Sequence, residues 1–297
     1  MKGKSDYDLV FIGNYTKDTI VSGAGTRVVD GGGFNYGAHV ASMMGLKTAA
    51  VTRLCREDQR VVDALERLGV DVFPTYTPHS TTLRLYYPTS NVDDRTISVA
   101  CTAGAFSPDQ VEHLHARAFL VSASFRGEVG LEVIQELRKK GSLLAADVQG
   151  FLRIPAPDGR LVCDGWPERQ PILSSLDILK TDAVEAELLT GLSNIEDAAR
   201  EMAAWGPKEI VLTHRDGVLV LADGRIHKAP FRHSKLVGRS GRGDTCMASY
   251  VAKRLSASPE IATTWAAAVT SLKMEAEGPI KRSVAEAEAL ILSPYST

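Results

Sequence analysis

The feature that most restricts how this chain can fold is a regular exchange between two hydrophobic periods. Short extended apolar runs alternate with stretches whose apolar residues recur about every three to four positions. Asp8–Gly13 reads as a strand, Phe34–Met44 as a helix stopped by Gly45, and Lys47–Thr52 as a second strand. Glu57–Leu68 sets Val61, Val62, Leu65 and Leu68 on one helical face and ends at Gly69. Ser107-Pro108-Asp109-Gln110 is a capping box with proline at the first helical position, so a helix is expected to start there. A strand at Ala118–Ala123, a helix at Leu131–Lys140 closed by Gly141 and a strand at Leu143–Asp147 follow. The pattern continues with strands at Asp177–Thr181, Glu209–Thr213 and Val218–Ala222 and helices at Ala183–Leu189 and Ile195–Trp205. Helices near Asp244–Leu255, Pro259–Met274 and Val284–Leu292 close the chain. Strands and helices in this order predict an α/β fold, a mainly parallel sheet with helices on both faces, in a single domain over residues 1–297.

Two stretches interrupt the rhythm. Thr19–Asp30 and Ser80–Ala100 are rich in Thr, Val, Tyr and Ile and carry turn residues (Gly23 and Gly25; Pro88, Asn91 and Asp93). They are expected to be antiparallel hairpins forming a small β lid over a cleft, or else a plain sheet extension with no gating role. Hairpins of this sort can also pair between subunits, which would give a homodimer.

Charge and composition exclude several classes. The 34 basic and 36 acidic side chains leave a net charge of −2, without the basic surplus that nucleic-acid binding needs. No uninterrupted apolar run approaches the roughly 18 residues of a membrane span. The basic start, Met1-Lys2-Gly3-Lys4, is followed only by the short run Leu9–Ile12, too brief for a signal-peptide core. Cys55, Cys101, Cys163 and Cys246 show no Cys-x-x-Cys pair, so buried free thiols in a cytoplasmic protein are expected. The seven histidines, His39 and His214 among them, form no ligand-spaced cluster.

The segment most informative about chemistry is Val237-Gly238-Arg239-Ser240-Gly241-Arg242-Gly243-Asp244-Thr245, which runs into the apolar helix Cys246–Leu255. Its glycines let the backbone bend and present successive N–H groups, and the helix start adds unpaired N–H groups at the positive end of the dipole. The result is an anion site with Asp244 in its field, where a carboxylate is stabilised in its ionised form. Asp244 then either accepts a proton from an attacking hydroxyl while N–H groups hold developing phosphate charge, or simply caps the helix.

This segment resembles the ATP-site signature of the ribokinase-like (PfkB) carbohydrate kinases, with Gly241, Gly243 and Asp244 on its two glycines and its catalytic aspartate. The likeness runs from about Asp8 to Lys281. Gly13 followed by Asp18 is similar to the family's substrate-binding start. Gly31-Gly32 before a helix ending at Gly45 is similar to its first signature. Lys180-Thr181-Asp182-Ala183-Val184-Glu185 is similar to its Asn-x-x-Glu segment, and Thr213 with Gly217 to its nucleotide turn. Within the family, Gly238–Cys246, Asp147–Arg153 and Ala266–Met274 look most like the branch that contains myo-inositol kinases.

The resemblance implies transfer of the γ-phosphoryl group of ATP to a hydroxyl of a small sugar or polyol, myo-inositol first. Asp244 would be the base, and Gly241, Arg242 and Gly243 would complete the catalytic loop. Asp18, Gly31, Gly32, Asn35, Tyr36, Gln149 and Arg153 would face the acceptor. Asp182, Thr213, Arg215, Gly217, Arg239, Gly241 and Gly243 would face the nucleotide, with Glu185 ordering Mg²⁺ through water. Asp147, Arg126 and Glu128 also follow strand ends and either line the cleft or sit in ordinary loops.

Several positions depart from the family pattern. Gly238-Arg239 replaces Asp-Thr, which weakens the case for a monovalent-cation requirement; Arg239 or Arg242 would supply that positive charge, or both arginines point to solvent. The acceptor-binding Asn falls on Tyr36, with Asn35 one residue early, and the Asn of Asn-x-x-Glu is Asp182. The turn after Thr213 is shortened, bringing His214 or Arg215 toward the nucleotide. A fructose-type sugar kinase, a nucleoside kinase and a non-catalytic polyol sensor on the same fold remain alternatives. A dehydrogenase is excluded because Gly13-Asn14-Tyr15-Thr16 lacks the G-x-G-x-x-G turn, and a P-loop kinase because the Walker loop is absent.

Overall fold

The computed structural model describes residues 6–89, 95–166 and 169–293. The turn positions Asn91 and Asp93 and the start Met1-Lys2-Gly3-Lys4 lie outside them. In chain order, β1 (Tyr7–Ile12) leads to the hairpin β2 (Thr16–Ser22) and β3 (Gly25–Gly31), then α1 (Gly33–Met43), β4 (Thr48–Leu54), α2 (Gln59–Glu66) and β5 (Val70–Tyr76). Next come β6 (Thr81–Tyr86), β7 (Thr96–Cys101), β8 (Ala116–Val121), α3 (Leu131–Lys139) and β9 (Leu143–Asp147). A short stretch holds α4 (Gln149–Leu152), β10 (Arg153–Pro155), β11 (Leu161–Cys163) and α5 (Arg169–Leu173). The second half contains β12 (Ile178–Asp182), α6 (Ala183–Thr190), α7 (Ile195–Ala204), β13 (Glu209–Thr213), β14 (Gly217–Ala222) and β15 (Arg225–Pro230). Helices α8 (Arg242–Arg254), α9 (Pro259–Met274) and α10 (Val284–Leu292) complete it.

Nine strands form one sheet in the order β15-β14-β13-β12-β9-β8-β1-β4-β5. It is parallel from β5 to β13, and β14 and β15 add to its edge antiparallel. Strand β1 shows how the sequence sets the layers. Leu9 and Phe11 enter one core, with Val40 of α1, Val251 of α8 and Trp265 of α9; Val10 and Ile12 enter the other, with Ile134 of α3 and Met202 of α7. Successive side chains of a strand point to opposite faces, so a continuous apolar run fits a sheet covered on both sides.

The two hairpins assemble a separate four-stranded sheet, β3-β2-β6-β7. Each hairpin is antiparallel, but they join through a parallel β2–β6 pair in which Asp18 stands opposite Leu83. The capping box at Ser107 and Gln110 is formed, yet only one 3₁₀ turn, Pro108–Gln110, follows it in place of the expected helix. Val111 leaves helical geometry at φ −123°, and it and Leu114 turn into the core. Of the cysteines, all free, only Cys246 is buried; Cys163 is exposed, contrary to the expectation of four buried thiols. Among the described residues, no helix is long and apolar enough to cross a membrane.

Candidate active site

Strands β9, β12 and β13 end side by side, carrying Asp147, Asp182 and Thr213 to one edge of the large sheet. Open α/β sheets bind ligands beyond this edge. Helix α8 starts opposite it. Gly241 is its N-cap at φ +75°, a left-handed conformation that a side chain rarely adopts, and a methyl group there would run into the Tyr36 ring. Gly243 gives the Lys180 ammonium room to approach: a Cβ at this position would lie 2.6 Å from Nζ. Asp244 follows in the first turn, and a Cβ on Gly33 would stand 2.5 Å from its Oδ1, so α1 can come this close only as glycine.

Two cavities meet at Asp244. One, of about 80 Å³, has Thr16, Asp18, Gly32, Gly33, Tyr36, Ser124 and Ser240 on its walls and Leu83, Leu85 and Ile97 of the smaller sheet as an apolar roof. The other, of about 70 Å³, is lined by Asp147, Lys180, Asp182, Thr213, Arg239, Arg242 and Gly243. Arg95, Gln149, Arg153, Gly241 and Asp244 belong to both. One acid thus touches an oxygen-rich chamber on one side and a strongly cationic chamber on the other.

Burial pushes the Asp244 carboxyl above its ordinary value, against the pull of Lys180, Arg153 and Lys273. Such a group is a better proton acceptor than a solvated aspartate. Its Oδ1 and the Oδ1 of Asp18 are buried without a hydrogen-bond partner. Buried oxygens normally have one, so an unpaired pair on one cavity points to a polar ligand. Burial also raises Asp18 to about 6, with the Thr16 hydroxyl opposing and the Asp244 charge adding to the rise. Lys180 forms an ion pair with Asp147 at 2.9 Å. Burial alone would lower its pKa, but Asp147, Glu185 and Asp182 outweigh that and keep it charged.

Most of the residues expected from the sequence converge here, with corrections. Asp18 is a mid-strand residue of β2 facing the cavity. Tyr36 lines the cavity, while Asn35 is turned away from it and donates weakly to the Asp30 carbonyl at 3.4 Å. Gly31 backs Asp18, where a Cβ would meet the carboxylate. Asp182 caps α6 in a reciprocal box with Glu185. Glu185 does not line either cavity: one oxygen accepts from Arg153 at 3.1 Å, the other from the Asp182 amide at 3.0 Å. Arg215 is exposed and off the cavity walls, and Gly217 packs against the Ala229 carbonyl. The His214 ring accepts from the Asp216 amide and shapes the turn. Arg126 and Glu128 do not reach the cleft. Arg126 ties down the carbonyls of Phe151, Asp164 and Gly165. Glu128 accepts from Asn14 at 2.8 Å and from Thr81, joining the segments that enter β2 and β6. Arg239 and Arg242 both border the cationic chamber rather than pointing only to solvent. Lys180, Arg95 and Lys273 were not singled out by the sequence; their proximity to Asp244 depends on elements far apart in the chain.

Magnesium, a hard cation, would need free oxygen ligands. Both Glu185 oxygens are engaged, and no group of three or more acids, histidines or cysteines among the described residues is arranged to hold a metal. Neither Glu185 oxygen is therefore free for direct coordination; magnesium ordinarily keeps several waters and binds through one or two carboxylates and substrate phosphates, so a protein cage is not what it requires.

A carboxylate at a glycine-bent helix start, between a polar chamber and a cationic one, defines a phosphotransferase with an alcohol group as acceptor. The chain belongs to the pfkB family of carbohydrate kinases, whose family profile matches residues 9–286. A pyrophosphate-dependent kinase of the ribokinase family, solved as a sulfate complex, superposes with a TM-score of 0.88 at 36% identity, over 95% of this chain and 99% of its own. A structure of a pyrophosphate-dependent kinase of that family with a pyrophosphate analogue and myo-inositol gives a TM-score of 0.87 at 35% identity, over 95% and 99%. The cytidine kinase of Thermococcus kodakarensis is 27% identical over 255 residues, 82% of this chain and 87% of that protein.

Proposed function

We propose that this sugar or polyol kinase phosphorylates a cyclic polyol of myo-inositol size and takes the phosphoryl group from inorganic pyrophosphate. One observation carries the choice of donor: among the described residues the donor chamber is lined by five cations, Arg95, Arg153, Lys180, Arg239 and Arg242, against three acids, Asp147, Asp182 and Asp244, and by no aromatic or apolar side chain. A nucleotide needs a flat apolar slot for its base, whereas pyrophosphate is all charge and matches guanidinium and ammonium donors. The two pyrophosphate-dependent relatives support the same reading. The reading puts pyrophosphate where the family resemblance implies ATP.

In the proposed reaction Asp244 takes the proton from an acceptor hydroxyl held by Asp18. The freed oxygen pair forms a bond to the near phosphorus. The bridging P–O bond breaks on the far side, and orthophosphate leaves with its electrons. N–H groups of Gly243 and Asp244 and the surrounding cations hold the charge of the transferring group; the Arg242 N–H, also expected there, donates instead to the Arg239 carbonyl. Arg239 and Arg242 supply permanent positive charge here, the role considered for them in place of a monovalent cation.

A panel of myo-inositol, other polyols, ketoses and nucleosides, each with pyrophosphate and with ATP, tests the reading by release of orthophosphate or ADP. Turnover of myo-inositol with pyrophosphate is expected. Turnover with ATP alone, or of cytidine in preference to polyols, overturns it. Polyol binding without release from any donor would favour the sensor.

A further inference from the structure

The loop that feeds α8 is held by a buried ammonium group. Lys273, in the last turn of α9, is 1% exposed. Its Nζ donates to the Gly238 carbonyl at 2.8 Å and to the Ser240 carbonyl. The amides of Val237 and Gly238 in turn donate to the Met274 carbonyl at 2.9 and 3.1 Å. A side chain on Gly238 would strike the Ala276 carbonyl, so the loop lies flush against the end of α9. Tyr36 offers its ring face to the ammonium at 5.4 Å.

Keeping a lysine here is costly unless its charge does something. Its partners are two carbonyls of the loop that ends at the left-handed Gly241, immediately before the amides of α8. A carbonyl turned toward the donor chamber would repel a phosphate; one drawn back to an ammonium cannot. We propose that Lys273 is a positioning residue for phosphoryl transfer: it holds the Gly238 and Ser240 carbonyls away from the donor, so that the amides of Gly243 and Asp244 face it, while the Arg242 amide closes the turn on the Arg239 carbonyl at 3.1 Å. This rests on the donor binding at the start of α8. The groups that face the ammonium are Tyr36 from α1, Asp244 from α8 and Glu277 beyond α9. Burial lowers its pKa to about 8, with Glu277 and Asp244 drawing it back up.

The test compares wild type with Lys273→Ala and Lys273→Met, following kcat, both KM values and the melting temperature. Removing the ammonium is expected to lower kcat by about a hundredfold, the scale of losing oriented transition-state donors, with the acceptor KM nearly unchanged. Ammonium ion at roughly 0.1 M, small enough to enter the space left by Lys273→Ala, is expected to restore about tenfold and to leave Lys273→Met and wild type unaffected. Wild-type kcat should fall as pH rises through about 8, as the ammonium loses its proton. Unchanged kcat in Lys273→Ala, or a loss that ammonium does not restore and that follows the fall in melting temperature, overturns the proposal. If neither variant folds, a wild-type kcat that is flat from pH 7 to 9.5 overturns it. A wild type inactive with every donor and acceptor would instead overturn the function proposed above.

Discussion

Asp244 and Asp18 show the cost of a site built from buried acids. Both have an unpaired oxygen on the acceptor chamber, and burial raises both. Replacing Asp244 with Asn keeps the shape and removes the base, so turnover should fall by roughly 10²–10⁴-fold while the melting temperature holds or rises. Retained turnover in that variant would remove Asp244 from the role. For Asp18 the sign follows from its shift from 3.8 to about 6. The fold binds this proton more tightly than the unfolded chain, so stability falls as pH rises through that window. In the proposed reaction, however, Asp18 holds the acceptor in its ionised form. Acceptor KM should therefore rise as pH drops below about 6, and Asp18→Asn should melt higher at neutral pH yet bind polyol poorly. A variant that binds polyol normally would show that Asp18 is not the anchor. At this scale the sequence was informative where chemistry is local: the bend at Gly241 and Gly243 and the acid beside it lie within four residues. It was silent on Lys180 and Lys273, which reach Asp244 from β12 and α9.

Helices whose ends carry their own signals were readable as elements. α9 and α10 match their expected limits, Pro259–Met274 and Val284–Leu292, because serine caps precede both. α1, α3 and α6 stop before Gly45, Gly141 and Gly191, each at positive φ. Ser107 shows the limit of such signals, since a capping box satisfies the first turn but cannot supply the apolar face a second turn would need. The hairpins were visible as β-rich interruptions, but their parallel β2–β6 joint was not, because pairing between distant strands leaves no local mark. That joint has a consequence for specificity. It places Leu83 and Leu85, with Ile97 of β7, over the same chamber that Asp18 enters. With the cyclic polyol proposed above, an apolar roof above a polar floor would fix which face of the ring is up, and so which hydroxyl meets Asp244. Leu83→Asn should give the acceptor a second hydrogen-bonding wall, lower kcat/KM by about tenfold and move phosphate to another hydroxyl, read by NMR of the product. The same single product at the same rate would mean the roof does not orient the acceptor. The Arg27–Glu277 pair that links the smaller sheet to the segment after α9 is half exposed on both sides, so its loss should matter little.

The whole molecule has a net charge of −2, yet five cations surround a chamber of about 70 Å³. Composition alone therefore reports nothing about the site, because the positive field is made by folding: Lys180 comes from β12, Arg153 from the start of β10, Arg95 from the residue before β7, and Arg239 and Arg242 from the approach to α8 and its first turn. The nine-strand order that brings them together was equally hidden, although the class of fold was not. Two chambers that share Asp244 but differ in charge should respond differently to salt. Mobile ions screen charges over about 10 Å at 0.1 M ionic strength, and an anion entering a cationic chamber feels that screening on its whole approach. A neutral polyol held by hydrogen bonds does not. Raising ionic strength with an inert salt from about 0.05 to 0.5 M should therefore raise the KM for pyrophosphate several-fold and leave the KM for the acceptor nearly constant. Equal responses of the two constants would mean that the five cations are neutralised by Asp147, Asp182 and Asp244 within the chamber, and that donor binding depends on shape and backbone N–H groups instead.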